Sequence, residues 1–324
     1  MNSIICGDAL RIPLPDNCVQ MCVTSPPYWK QRLYAAGTGE LGQEWSVPEY
    51  VENMVSVFRQ VKRVLRDDGL LFLNLGDKFD KRKSMIGLPW RVAFKLMDDG
   101  WILRADCIWS KTNAMPFSGT DRPTLSHEYV FIFSKQSCYA SNFRAIATPI
   151  KESSIKRLGQ DVASRAGPTR TGKTNGTMKA VRFGGDKAAG YGDNAMSGKE
   201  WIPAMAGGAI GLDDRKGSPL PTANIRSVWS LATAAYKGAH FATFPIALAR
   251  MCIKAGSKLG DMVMDPFSGA STTGLACKEL GRRYIGVELN VANIHLSNQR
   301  KIQPEKKRAA VKPLPREYQQ LELL

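Results

Sequence analysis

The fold of this chain is decided by the segment MVMDPFSGASTTG at residues 262–274. Its first three residues are apolar and predict a short strand, and a turn of small residues then leads into a helix that begins at Thr272. A strand that passes through such a turn directly into a helix is typical of α/β proteins with a mainly parallel sheet. The small side chains let the backbone approach a ligand at the carboxyl end of the strand, where open α/β sheets bind ligands.

The strand that follows supplies a second part of this predicted site. Tyr284 to Val287 is apolar and is followed at once by Glu288. An acidic residue at the end of the second strand of such a unit can accept hydrogen bonds from two ribose hydroxyls. The helix start leaves backbone N–H groups free for an anion, and Thr272 and Thr273 add hydroxyl donors. These features suit a ligand with a ribose and an anionic group.

Strand and helix patterns alternate through most of the remaining chain, without an internal repeat. Gly69 is predicted to cap the first helix. We expect a doubly wound α/β fold with a mainly parallel sheet. Further strands are predicted at 3–6, 21–24, 70–75, 101–103, 107–109 and 128–134, and helices at 47–66, 88–98, 245–255, 272–280 and 291–301.

A second motif lies near the N-terminus, where the strand 21–23 leads into the tetrapeptide Ser25-Pro26-Pro27-Tyr28. Consecutive prolines fix φ at two positions and hold the preceding residues extended, so the chain makes a rigid bend. The bend carries a small hydroxyl group, carbonyls and the aromatic rings of Tyr28 and Trp29. It can accept hydrogen bonds from an amino group and stack on a flat heterocycle, as an extruded nucleobase requires.

The charge of the chain indicates a polyanionic partner. Its 324 residues carry a formal net charge of +16, with a pI near 9.6. Such an excess favours nucleic acid, although a basic protein without that partner is the alternative. No apolar run reaches the roughly 18–20 residues of a membrane span, and no signal peptide is recognised, so we expect a cytoplasmic protein. Seven scattered cysteines without a CxxC pair, and three distant histidines, predict free thiols and no metal site.

Regular patterning stops between about residues 145 and 224. From Lys151 to Gly190 there are nine Lys or Arg against three Asp or Glu, with many small polar residues. This composition cannot bury much surface by itself, so the segment is a solvated loop, a disordered insertion or a module that becomes ordered on a partner. Residues 303–324 are charged and interrupted by proline, which predicts a mobile tail.

The two motifs together resemble the DNA amino-methyltransferases that use S-adenosylmethionine. Their order is similar to that of the beta class, in which the catalytic tetrapeptide precedes the cofactor loop. Three further segments match the family: LFLNLGD at 71–77, SHEY at 126–129 and GAHFATFP at 238–245. The resemblance covers about residues 3–144 and 225–298. One departure is Ser271, which stands where family members often have a second glycine.

The resemblance implies a methyltransferase-type sheet with a circularly permuted order of motifs. Residues 1–144 would form the catalytic half and 225–302 the cofactor-binding half. Residues 145–224 would be an inserted, loop-rich target-recognition region. Its Lys and Arg would contact phosphates, while Asn, Gln or Arg side chains would read base edges.

The resemblance also assigns roles to the residues of the cofactor side. Glu288 would hold the ribose hydroxyls, Asp8 would accept from the adenine amino group, and Thr272 with the helix start would face the methionine carboxylate. Two residues, His240 and Phe244, would close over the methionine end. The remaining expected contacts are Asp265, Pro266, Phe267, Gly269 and Thr273.

On the substrate side, Ser25 and the Pro26 carbonyl would accept hydrogen bonds from the target amine. Pro27 would complete the bend and Tyr28 would stack on the extruded base. Asn74 and Asp77 are expected nearby. The chemistry needs no metal, because an amine attacks a sulfonium methyl whose leaving group is already activated.

The leading hypothesis is a sequence-specific methyltransferase of double-stranded DNA, associated with the nucleoid. Ser rather than Asp at the first position of the tetrapeptide favours cytosine N4 over adenine N6, by family tendency. The alternatives are methylation of RNA or of a protein glutamine, and a non-catalytic DNA-binding protein. The sequence leaves open whether the chain is a homodimer and whether a cognate restriction endonuclease exists.

Overall fold

The computed structural model describes residues 2–31, 40–149, 222–233 and 244–302. Within these ranges, eight strands form one sheet and two short strands form a separate ribbon. The sheet strands are β1 Asn2–Cys6, β2 Val19–Thr24, β3 Leu65–Leu75, β4 Ile102–Lys111, β5 His127–Ser134, β8 Val228–Leu231, β9 Met262–Asp265 and β10 Arg283–Glu288. The ribbon pairs β6 (Thr148–Pro149) with β7 (Thr222–Ala223) in antiparallel fashion.

Five α-helices accompany the sheet in the described ranges. Each begins or ends at a recognisable local signal; α1, for example, starts where the Ser46 hydroxyl accepts from the Glu49 N–H at 3.3 Å. The helices are α1 Val47–Val64, α2 Leu88–Asp98, α3 Ile246–Gly256, α4 Thr272–Glu279 and α5 Val291–Ile302.

The strand order of the sheet is β1-β10-β9-β2-β3-β5-β4-β8. The five strands from β1 to β3 are all parallel, β5 runs antiparallel to both neighbours, and β8 is parallel to β4. The prediction of a mainly parallel α/β sheet is therefore confirmed. Because β2 pairs with β9, the ends of two strands far apart in the sequence lie side by side.

Both faces of the sheet are covered, as in a doubly wound fold. On one face, α1 and α2 pack on Leu71, Leu73 and Phe131. On the other face, α3 and α4 pack on Met21, Phe72 and other apolar side chains. Apolar residues on both faces explain why β3 is a continuous hydrophobic run from Leu70.

Three details differ from the prediction. First, α1 ends at Val64 and β3 begins at once at Leu65, so Gly69 does not cap the helix. A Cβ at Gly69 would lie 2.8 Å from the Gln20 carbonyl oxygen, so glycine there allows β3 to approach β2. Second, the predicted strands 101–103 and 107–109 are one strand, β4, with an irregularity after Leu103. Third, β8 was not predicted.

Most of the predicted target-recognition region and the whole predicted tail lie outside the described residues. The boundaries of the catalytic half, recognition region and cofactor half stay predictions. In the part of the chain that the structure describes, no helix is both long and apolar enough to cross a membrane.

Candidate active site

The tetrapeptide and the glycine turn lie on one cleft at the carboxyl ends of the parallel strands. The cleft has a volume of about 360 Å³, within the range of about 300–1,000 Å³ that is usual for small-molecule sites. Ser25 and Pro27 line it together with residues of the segments 265–272 and 288–293. About 240 positions of sequence thus close onto one site, through the pairing of β2 with β9.

A buried hydrogen bond joins the two motifs directly. The Thr24 hydroxyl, immediately before the tetrapeptide, donates to Asp265 Oδ1 at 2.7 Å. The Thr273 hydroxyl donates to Asp265 Oδ2 at 2.8 Å, and the Phe267 N–H donates to Oδ1 at 3.1 Å. Asp265 therefore fixes the strand that carries the bend, the turn and the first turn of α4 relative to one another.

The carboxyl group of Asp265 is almost completely buried. Burial raises its pKa to about 6, although the hydrogen bonds from Thr24, Thr273 and the Phe267 N–H oppose this shift, and the charge of Glu288 adds to it. A group so perturbed at a cleft is a typical functional candidate.

Glu288 organises the other side of the turn. Its Oε2 accepts from the Gly269 N–H at 2.8 Å, and its Oε1 accepts from the Asn290 N–H at 2.9 Å and from Asn293 Nδ2 at 3.0 Å. A carboxylate offers about four acceptor sites, so three donors leave capacity for a ligand hydroxyl. The position suits the predicted contact with a ribose.

Ser271 adopts the left-handed conformation, with φ 57° and ψ 42°. This conformation costs a residue with a side chain about 1–2 kcal/mol. It explains why related sequences favour glycine there, and it means that the serine keeps the turn in the same backbone geometry at a cost in strain.

The remaining predicted cofactor residues divide into three groups. Asp8, Phe244, Pro266, Phe267, Gly269 and Thr272 line the cleft with Asp265 and Glu288. Asp8 also accepts from the Leu10 N–H at 2.9 Å and so caps a short 3-10 helix. Thr273 does not line the cleft, because its fully buried hydroxyl is directed at Asp265. His240 lies outside the described residues.

The substrate-side residues form a chain of hydrogen bonds. Ser25 Oγ lies 3.3 Å from Tyr28 Oη, and Tyr28 Oη donates to Glu128 Oε2 at 2.8 Å. Lys111 Nζ donates to Glu128 Oε1 at 2.6 Å. Burial first, and then the Glu128 charge, raise the pKa of Tyr28 well above its usual value, so its phenol stays protonated.

The two prolines have different surroundings. Pro26 is buried and does not line the cleft, whereas Pro27 does. The Pro27 carbonyl already accepts from Tyr50 Oη at 2.9 Å, which ties the bend to α1. Tyr28 is also absent from the cleft wall, and Gly76 makes room for its ring, since a Cβ there would lie 2.9 Å from Tyr28 Cε2.

Two residues expected near the site have structural partners. Asn74 Nδ2 donates to the Tyr129 carbonyl at 3.0 Å. Asp77 accepts from the N–H groups of Gly87 and Leu88 at 3.0 and 3.1 Å and thus caps the start of α2. Neither lines the cleft.

The sequence interpretation missed the wall of the cleft that is formed by the segment 40–57. Glu44 is buried there and accepts from the Gly42 N–H at 3.0 Å and from Asn53 Nδ2 at 3.2 Å. The Gly42 carbonyl accepts from the Lys30 N–H, so this segment is held against the tetrapeptide. The available signal was three glutamates, Glu40, Glu44 and Glu49, beside a helix start.

The cleft is acidic, although the protein as a whole is basic. Among the described residues that line it there is no Lys, Arg or His. Its carboxylates are those of Asp8, Glu40, Glu44, Glu49, Asp265 and Glu288. This set of groups fits the positively charged sulfonium and ammonium groups of S-adenosylmethionine.

Comparisons with known proteins agree with this geometry. A family model described as DNA methylase, of the N6/N4 methyltransferase type, matches residues 19–299. The chain is 34% identical over 327 residues to the type II methyltransferase M.SmaI of Serratia marcescens, which covers 92% of this chain and 89% of that protein. It is 33% identical to M.Cfr9I of Citrobacter freundii, over 88% of this chain and 82% of that one.

Solved structures share the fold. The cytosine-N4-specific PvuII DNA methyltransferase superposes with a TM-score of 0.63 at 18% identity, covering 94% of this chain and 87% of that chain. The DNA modification methylase TTHA0409 of Thermus thermophilus, in complex with S-adenosyl-L-methionine, gives 0.55 at 20% identity over 93% of each chain. The match of the family model over most of the chain establishes that this protein belongs to the N6/N4 DNA methyltransferases.

Proposed function

We propose that this DNA methyltransferase transfers a methyl group from S-adenosylmethionine to the exocyclic amino group of a base extruded from duplex DNA. The base is cytosine, modified at N4, within a specific sequence. One observation carries the proposal. Ser25 and Pro27, which belong to the amine-binding bend, line the same cleft as Asp265 and Glu288.

The residues of the cleft fit the cofactor at several points. Glu288 would hold the ribose hydroxyls, Asp8 would accept from the adenine amino group, and the backbone N–H groups at the start of α4 would face the carboxylate. When bound, S-adenosylmethionine supplies a methyl group on a positively charged sulfur. Asp265 and Glu44 lower the electrostatic energy of that charge, since both are buried carboxylates on the cleft wall.

The bend would orient the target amine. Ser25 Oγ accepts one amine hydrogen, which draws the nitrogen lone pair away from the ring and makes it a better nucleophile. The protein thereby contributes orientation and exclusion of water, and no strong base is required if the proton leaves after transfer.

Cytosine N4 is proposed because the tetrapeptide opens with Ser25 rather than with aspartate. Specificity for a DNA sequence is supported by the relatives, which are named as type II methyltransferases. Such names also favour a cognate restriction endonuclease as a functional partner.

Mass spectrometry of nucleosides tests the proposal. Duplex DNA of mixed sequence is incubated with the protein and S-adenosylmethionine and then digested, with Ser25→Ala as the matched control. We expect N4-methylcytosine that depends on Ser25. N6-methyladenine without N4-methylcytosine would overturn the choice of base, and transfer to RNA with none to DNA would overturn the substrate.

A further inference from the structure

We propose that a basic hairpin beside the catalytic bend binds the DNA backbone that flanks the target base. The hairpin comprises residues 78–85, between β3 and α2, and it carries four basic residues against one aspartate. The proposal rests on the DNA methyltransferase activity and adds a surface through which the duplex is held.

The edge of the sheet that carries the cleft is divided by charge. The loops after β1, β9 and β10 and the segment 40–49 contribute the carboxylates of the cleft. The loop after β3 contributes Lys78, Lys81, Arg82 and Lys83, and the loop after β2 contributes Lys30. A cationic cofactor and a polyanionic duplex would each meet charge of the opposite sign on adjacent parts of one edge.

The hairpin has a defined shape. Asp80 Oδ1 accepts from the N–H groups of Arg82 and Ser84 at 2.9 and 2.8 Å, and the Asp80 N–H donates to the Ser84 carbonyl at 2.8 Å. A bridge pairs Phe79 with Met85. The three cations at the tip, Lys81 to Lys83, are exposed, so little ordering is needed before they meet phosphates.

The hairpin is tied to the catalytic bend. Lys78 Nζ donates to the carbonyls of Trp29 and Lys30 at 3.1 and 3.0 Å. Trp29 follows Tyr28 directly, so the base of the hairpin touches the segment that receives the target amine. Arg122 stacks 4.2 Å from the Phe79 ring centroid and supports the other side. Contacts from this hairpin would therefore fall on phosphates close to the extruded nucleotide.

The test is the salt dependence of DNA binding. The variant Lys81→Ala/Arg82→Ala/Lys83→Ala removes the tip charges. The control Arg66→Ala/Lys258→Ala/Lys278→Ala removes three exposed charges from the opposite edge of the sheet. Binding to a labelled duplex of arbitrary sequence is measured between about 50 and 200 mM salt.

We expect the slope of log Kobs against log salt to become shallower by about 0.9 for each lost phosphate contact in the hairpin variant, and to be unchanged in the control. Calorimetric binding of S-adenosylmethionine should be the same in all three proteins. A wild-type slope in the hairpin variant would overturn the hairpin proposal alone. Absence of DNA methylation by the wild type would instead overturn the proposed function.

A second, independent observation concerns the direction of hydrogen bonding at Ser25. Tyr28 has one hydroxyl hydrogen, which it donates to Glu128. The contact of 3.3 Å between Ser25 Oγ and Tyr28 Oη can then only have Ser25 as donor. With its hydrogen so directed, Ser25 presents lone pairs to the cleft, as an acceptor for an amine must.

We infer that Glu128 and Lys111 are positioning residues that act on Ser25 through Tyr28. Lys111 favours the ionised form of Glu128, which accepts and cannot donate. This sets the direction of the whole chain of hydrogen bonds. Without the carboxylate, the Tyr28 hydroxyl is free to donate to Ser25, and the serine would then turn its hydrogen toward the amine.

A double-mutant cycle between Glu128→Ala and Tyr28→Phe tests this inference. We expect Glu128→Ala to slow single-turnover methylation at least about tenfold in the wild-type background and to have little further effect beside Tyr28→Phe. Glu128→Gln, which keeps an acceptor oxygen, should retain more activity than Glu128→Ala. Equal effects of Glu128→Ala in both backgrounds, or equal loss with Gln and Ala, would overturn the inference.

Discussion

Thr24 Oγ1 lies 2.7 Å from Asp265 Oδ1, and this buried hydrogen bond joins the strand that ends in the tetrapeptide to the turn that opens α4. The two residues are 241 positions apart in the sequence. Their contact sets the distance between the amine-binding bend and the proposed cofactor turn. It therefore links the fold of the sheet to methyl transfer.

The two ends of this link should have separable functions. Ser25→Ala removes an acceptor that the cofactor does not need, so we expect turnover to fall about 10²-fold with little change in S-adenosylmethionine affinity. Asp265→Ala should lower cofactor affinity more than turnover at saturation. Calorimetry and single-turnover assays measure both quantities; equal losses of both in each variant would contradict the division.

Asp265 should also make stability depend on pH. Its pKa of about 6 in the folded protein exceeds the usual 3.8, so the folded state holds this proton more tightly. Its stabilising contribution is therefore complete below about pH 3.8 and is lost as pH rises through about 6.

Asp265→Asn removes this loss, and the hydroxyls of Thr24 and Thr273 can turn to accept from the amide. Relative to wild type, the free energy of unfolding of the variant should rise by about 3 kcal/mol between pH 4 and pH 7. Urea denaturation at the two pH values measures the change. A difference that does not vary with pH would show that burial does not perturb this carboxyl.

Glu288 should be required for both the turn and the cofactor. Glu288→Gln presents an amide N–H₂ group to donors on one side, so at least one of the contacts from Gly269, Asn290 and Asn293 is lost, at about 1–3 kcal/mol. We expect a lower melting temperature and a weaker thermal shift with S-adenosylmethionine. Glu279→Gln, on the exposed end of α4, is the control and should leave the cofactor-induced shift intact.

Ser271 offers a test of strain in the turn. Ser271→Gly relieves the left-handed conformation and should stabilise the protein by up to about 1 kcal/mol while cofactor affinity is kept. Ser271→Ala removes the same hydroxyl but keeps the strain, so it should give no such gain. Chemical denaturation distinguishes them, and equal stability of the two variants would mean that backbone strain is negligible.

The sequence predicted those parts of the molecule that local signals specify. The bounds of α2, Leu88–Asp98, were predicted because glycines flank it and proline occupies its first turn. The turn at Gly269 and the bend at Ser25 were found because each motif is contiguous. Strand β8 was missed because its four residues gain meaning only from pairing with β4.

The partnership of Lys111 with Glu128 was missed for a similar reason. It depends on the antiparallel register that sets Ser110 opposite His127 and Trp109 opposite Glu128. Nothing in either segment alone indicates the other. The acidic wall at Glu44 likewise follows from the way the segment 40–45 folds against the tetrapeptide.

A crystal structure of the chain with S-adenosylmethionine bound is the most direct test of the shared cleft. We expect the cofactor to contact Glu288 at its ribose and to direct its methyl-bearing end toward Ser25. A cofactor bound away from the turn at Gly269, or bound there with its methyl group turned from the Ser25-Pro26-Pro27 bend, would contradict the proposed transfer.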